Sequence, residues 1–123
     1  MISTGKPFSG FSVDVVGAAR AFYQDVLGLD VREEDGMLAL VLDGDSHVLV
    51  YPKDDHVPAT FTILNFPVDD VGAAARKLGE HGVELLRYEG APQDEDGVMR
   101  GHGPDIAWFT DPAGNVLSII DVG

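Results

Sequence analysis

The chain has 123 residues, 45% of them hydrophobic, no cysteine, and 21 acidic against 8 basic residues, for a formal net charge of −13. That length suits one ordinary domain with a real core, and the lack of cysteine excludes disulfides, thiolate metal sites and cysteine nucleophiles. The charge opposes nucleic acid and anionic membranes as partners and draws cations to the surface.

The opening MISTGKPFSG has no apolar signal-peptide core, and no apolar run approaches membrane-spanning length, so a cytoplasmic location is expected. Phe8–Val13 alternates as a strand does. Asp14 then offers an N-cap carboxylate, and Ala19, Phe22, Tyr23 and Val26 form one helical stripe that Gly28 stops. Strands are predicted at Leu29–Glu34, Met37–Leu42 and His47–Tyr51. Pro52–Ala59 (PKDDHVPA) reads as a linker. The order then returns. Ile63–Val68 is a strand, Asp69 or Asp70 caps a helix with the stripe Val71, Ala74, Ala75 and Leu78, and Gly82 ends it. Strands follow at Glu84–Tyr88, Asp105–Thr110 and Asn115–Ile120, with a loop over Tyr88–Pro104.

The repetition extends to residues. Phe11–Ala19 (FSVDVVGAA) and Phe66–Ala74 (FPVDDVGAA) agree at seven of nine positions at an offset of 55. Asp43–Leu49 (DGDSHVL) aligns more weakly with Asp111–Leu117 (DPAGNVL) at an offset of 68, so the second copy carries about 13 extra residues, placed in the Tyr88–Pro104 loop. Such self-similarity marks one unit used twice. The expected architecture is α+β: two tandem βαβββ modules, about 7–51 and 61–121, joined by a linker at 52–60 within one domain of 1–123. Each helix covers one face of its sheet, and the other faces of the curved mixed sheets are left to enclose a cleft.

The stretches AFYQDVLGL (Ala21–Leu29) and FTDPAGNVLSI (Phe109–Ile119) resemble the glyoxalase / bleomycin-resistance / extradiol-dioxygenase superfamily, also called vicinal oxygen chelate. The resemblance implies paired βαβββ modules and a homodimer, with swapped and unswapped arrangements both open. It also implies four metal ligands on the inner faces, drawn from the first and last strands of each module. Carried onto this sequence, those positions are Phe8, Val50, Ile63 and Ser118, three of which have no donor atom. A divalent ion needs oxygen or imidazole donors. The expectation is therefore no metal and no other cofactor.

The same inner face should be apolar and partly aromatic. Alternation places Phe8, Ser12, Ile63, Asn65 and Ser118 on it, and Trp108 with Leu40 as its counterpart in the first module. Arg100 and His102, in the glycine-rich stretch MRGHGPD, are candidates for a lid over it. Of the other histidines, His81 suits a helix end, His56 a solvated linker and His47 a turn. Asp94–Gly97 lacks the pattern of a calcium loop and reads as a solvated acidic turn. The reading is a metal-free small-molecule binding protein, with no catalytic residue, for a partly apolar ligand, neutral or cationic, since the charge serves solubility as well as it serves attraction of cations. The alternative is a lyase, isomerase or dioxygenase of the same superfamily.

Overall fold

The computed structural model describes residues 1–123. The chain divides into two compact units, Met1–Pro58 and Ala59–Gly123.

In the first unit, β1 (Ser9–Val13) leads into α1 (Val16–Ala21), which continues as a π-helical turn over Phe22–Val26. Asp14 does not cap α1 across a turn: its carboxylate accepts only the adjacent Val15 N–H, and Val15 is the N-cap. The predicted stripe buries Ala19 and Tyr23, while Phe22 and Val26 are half-buried. The chain leaves the turn at Gly28, whose φ of 76° is the left-handed stop expected there. Strands β2 (Asp30–Glu34), β3 (Met37–Val41) and β4 (His47–Pro52) complete a sheet of order β1-β4-β3-β2, with β1 parallel to β4 and the rest antiparallel. Helix α1 packs on β3 and β4. The covered face holds Phe11, Val13, Val31, Leu38, Leu40, Val48 and Val50, each under 9% exposed.

In the second unit, β5 (Thr62–Pro67) leads into α2 (Val71–Glu80). Here the cap is made: the Asp70 carboxylate accepts the Ala73 N–H at 3.0 Å. Gly82, at φ 81°, ends the helix. Strands β6 (Ile106–Thr110) and β7 (Val116–Ile120) give a three-stranded sheet of order β5-β7-β6, again with a parallel first pair. The strand expected at Glu84–Tyr88 does not form. A single ladder-like bond, Leu86 N–H to Trp108 O at 2.7 Å, sets that segment beside β6. Side chains do the rest. Gln93 donates to Leu86 O and Gly97 O and accepts from Tyr88 N–H, and Arg87 donates to Asp94 O and Glu95 O.

Both sheets are mixed and open. No helix is long and apolar enough to cross a membrane.

Candidate ligand-binding site

Side chains alternate across a strand, so the burial of one face identifies the residues of the other. In the first unit the uncovered face carries Phe8, Gly10 and Ser12 from the β1 side, Leu49 and Tyr51 from β4, and Met37 and Ala39 from β3. Phe8 is 58% exposed and its ring lies 4.4 Å from that of His47. These two rings, with Met37, Ala39 and Leu49, line a depression of about 500 Å³ whose rim is Arg32, Glu33, Glu34 and Asp35. Arg32 pairs with Asp30 at 3.5 Å and Glu33 with Arg20 at 3.4 Å. Glu34 and Asp35 have no cationic partner, which leaves the rim net negative.

Leu40 and Val50 are corrected: both are fully buried, at 0% exposure, on the helix-covered face. One slip accounts for both. Asn65 pairs with Ser118, and Gly10, its equivalent in the repeat, pairs with Leu49, so the late strands correspond at an offset of 69 and not 68. The turns agree, since Leu42 N–H bonds Ser46 O where Asp111 N–H bonds Asn115 O. A one-residue slip moves every side chain to the opposite face. Leu49 therefore matches Ser118, and Ala39 matches Trp108.

Ser12 keeps its expected face, and its hydroxyl lies 2.7 Å from His56 Nδ1. His56 is accordingly half-buried against β1, where the sequence suggested a solvated linker residue. Ile63 falls at a register shift between Thr62 and Leu64, which interrupts the alternation used to place it.

In the second unit Asn65, Ser118 and Trp108 stand in one row across β5, β7 and β6. Ser118 is buried and its hydroxyl donates to Asn65 Oδ1 at 2.5 Å. Trp108 is half-buried and meets Tyr88 edge to face, with ring centroids 5.3 Å apart. Tyr88 had no distinguishing sequence signal, because its position depends on the irregular edge beside β6, whereas Met37 and Tyr51 were hidden by the same one-residue slip that misplaced Leu40 and Val50.

Arg100 is not a free lid cation. It donates to Asp94 at 3.0 Å and Asp105 at 2.7 Å, tying the middle of the loop to the residue before β6. Burial pushes the Asp94 carboxyl up, but N–H donation from Val98 and Asp96 and the Arg100 guanidinium outweigh it and hold it below the ordinary carboxylate range. The Asp94–Gly97 turn is thus an organised one. His102 is exposed in the bend after Arg100.

The residues at the family's ligand positions do not fit a divalent ion. With the corrected offset these are Phe8, Leu49, Ile63 and Ser118; three lack donors and the fourth bonds Asn65. No group of three or more His, Asp or Glu side chains is placed to hold a metal.

Two α+β units built on the same repeat, each with an open mixed sheet covered on one face, define a glyoxalase-type fold. The chain belongs to the Glyoxalase/Bleomycin resistance protein/Dioxygenase superfamily, whose family model matches residues 10–119. It is similar in structure to a glyoxalase family protein from Enterococcus faecalis, at TM-score 0.71 and 21% identity over 98% of this chain and 100% of that one. It is also similar to TnmS3, an antibiotic binding protein from Streptomyces sp. CB03234, at TM-score 0.65 and 23% identity over 98% of each chain. A lactoylglutathione lyase from Agrobacterium tumefaciens matches at TM-score 0.67 and 19% identity, over 98% of this chain and 95% of that one. At these identities the likeness is one of fold. No curated protein sequence matches the chain.

Proposed function

We propose that this chain binds small, partly apolar, cationic molecules without a metal. The observation that carries the reading is the depression on the first unit's uncovered face: an apolar floor of Met37, Ala39 and Leu49, the exposed Phe8 ring against His47, and the unpaired carboxylates Glu34 and Asp35 at its rim. An aromatic face and nearby carboxylates both attract an organic cation, and an apolar floor accepts its hydrocarbon part. The net charge of −13 works in the same direction. The antibiotic-binding relative makes ligand sequestration a role the fold can serve.

A thermal-shift series with and without zinc, nickel and iron tests this. Aromatic ammonium compounds such as benzyltrimethylammonium should raise Tm in a concentration-dependent way, with no help from metal, because a ligand stabilises the state it binds. Phe8→Ala should abolish the shift while leaving the unliganded stability within about 0.5 kcal/mol of wild type, since Phe8 is exposed. Stabilisation by metal alone would contradict the reading and favour a metal-dependent enzyme.

A further inference from the structure

The second unit adds a requirement on ligand chemistry. The Ser118 hydroxyl donates its only proton to Asn65 Oδ1. The amide is planar, so fixing its oxygen on Ser118 directs Nδ2, with two N–H donors, to the other end of the group. No protein atom accepts from Nδ2, and Asn65 is exposed. Ser118 is fully buried, flanked in the row by Asn65 and Trp108, so the anchor is shielded from competing water. Asn65 and Trp108 stand on strands separated by β7, about 10 Å apart at strand spacing. A fused two- or three-ring system bridges that span.

We propose that Asn65, oriented by Ser118, is a specificity-determining residue: this face takes a flat aromatic molecule carrying a neutral carbonyl oxygen, its rings on Trp108 and its oxygen accepting from Asn65 Nδ2. A carboxylate in place of the carbonyl is opposed by the charge of −13. Tyr88, edge-on to Trp108, holds the indole plane. The proposal rests on the preceding reading only in making the chain a binder of small molecules; it concerns a different face and a different contact.

Fluorenone and fluorene share one tricyclic frame and differ by that carbonyl. Each would be titrated into the ¹⁵N-labelled chain, following the Asn65 side-chain amide and the indole N–H of Trp108, the chain's single tryptophan. Fluorenone should bind about five- to tenfold more tightly, the effect of one hydrogen bond, and should move both resonances. Asn65→Leu, similar in shape but without donors, should reduce that ratio to about one while fluorene binding stays. Ser118→Ala should reduce the ratio part-way, because the amide is no longer held in one orientation. Both variants are checked for folding by their backbone spectra. Equal affinity for the two compounds, or an undiminished ratio in Asn65→Leu, overturns the assignment while leaving small-molecule binding intact. Failure of both compounds to move Trp108 also overturns it, and if aromatic ammonium compounds fail as well, the binding reading falls with it.

Discussion

The two units begin alike and finish differently. Both open with a strand and helix from the shared FxVDxVGAA pattern, and both pair the first strand in parallel with the last. The first unit completes its sheet with backbone ladders over four strands. The second has three strands, and in place of a fourth ladder Gln93 takes up Tyr88 N–H and Leu86 O, Arg87 and Asp94 bond backbone groups of the loop that follows, and Arg100 bonds the Asp94 and Asp105 carboxylates. The β6 edge is met by isolated backbone bonds from Leu86 and Met99, and the polar side chains hold the loop that carries those two residues. The uncovered faces diverge in the same way. One is rimmed by carboxylates, the other carries an amide and an indole on either side of β7.

The largest effects are expected in the two cores. Leu40 and Phe109 are equivalent under the corrected offset and both are fully buried. Leu40→Ala should cost about 2–5 kcal/mol and Phe109→Ala about 3–5 kcal/mol in urea unfolding. Leu49→Ala, on the uncovered face, should cost clearly less. A reversed order for Leu40 and Leu49 would restore the offset of 68 and remove Leu49 from the site.

Asp94→Ala comes next. It removes the acceptor for two backbone N–H groups and for Arg100 and should cost about 1–3 kcal/mol at neutral pH. The folded-state pKa of Asp94 is lowered, so its stabilisation is fully present above the ordinary value of 3.8 and is lost as pH falls below it. The stability gap between wild type and Asp94→Ala should narrow as the pH is taken below 3.8. A constant gap would show that the carboxylate's charge is not what holds the loop.

The smallest effect separates the two copies of one glycine. Nothing lies within 4 Å of a Cβ added at Gly17, whereas at Gly72 that atom would sit 2.9 Å from Arg100 Nη2. Gly17→Ala should stabilise by about 0.5–1 kcal/mol through helix propensity. Gly72→Ala should gain less or lose, because Arg100 is held by Asp94 and Asp105 and cannot move aside freely. Equal gains would mean that Arg100 is not anchored.

The fold was legible because its signals are local. The repeated FxVDxVGAA string, the helical stripes and the helix-ending glycines all specify backbone within a few residues. The site was legible only in part, because a face assignment depends on register. Ser12, Asn65, Ser118 and Trp108 were placed by alternation, and the strand registers put them on the faces opposite their buried neighbours, with Phe8 just before β1. Leu40 and Val50 came from an offset one residue short, carried by a DGDSHVL match that the turn geometry shifts. Arg100, His56 and Tyr88 were beyond sequence reasoning, since their partners are distant in the chain or sit on irregular backbone.

The proposed holding place for an organic cation is the first unit's uncovered face. A ¹H–¹⁵N titration of the intact chain with benzyltrimethylammonium addresses it most directly. Saturable shifts gathered on Met37, Ala39, His47 and Leu49, and absent when Glu34→Gln and Asp35→Asn are combined, are the expected result. Shifts confined to the helix-covered face, or none at any concentration, would contradict it.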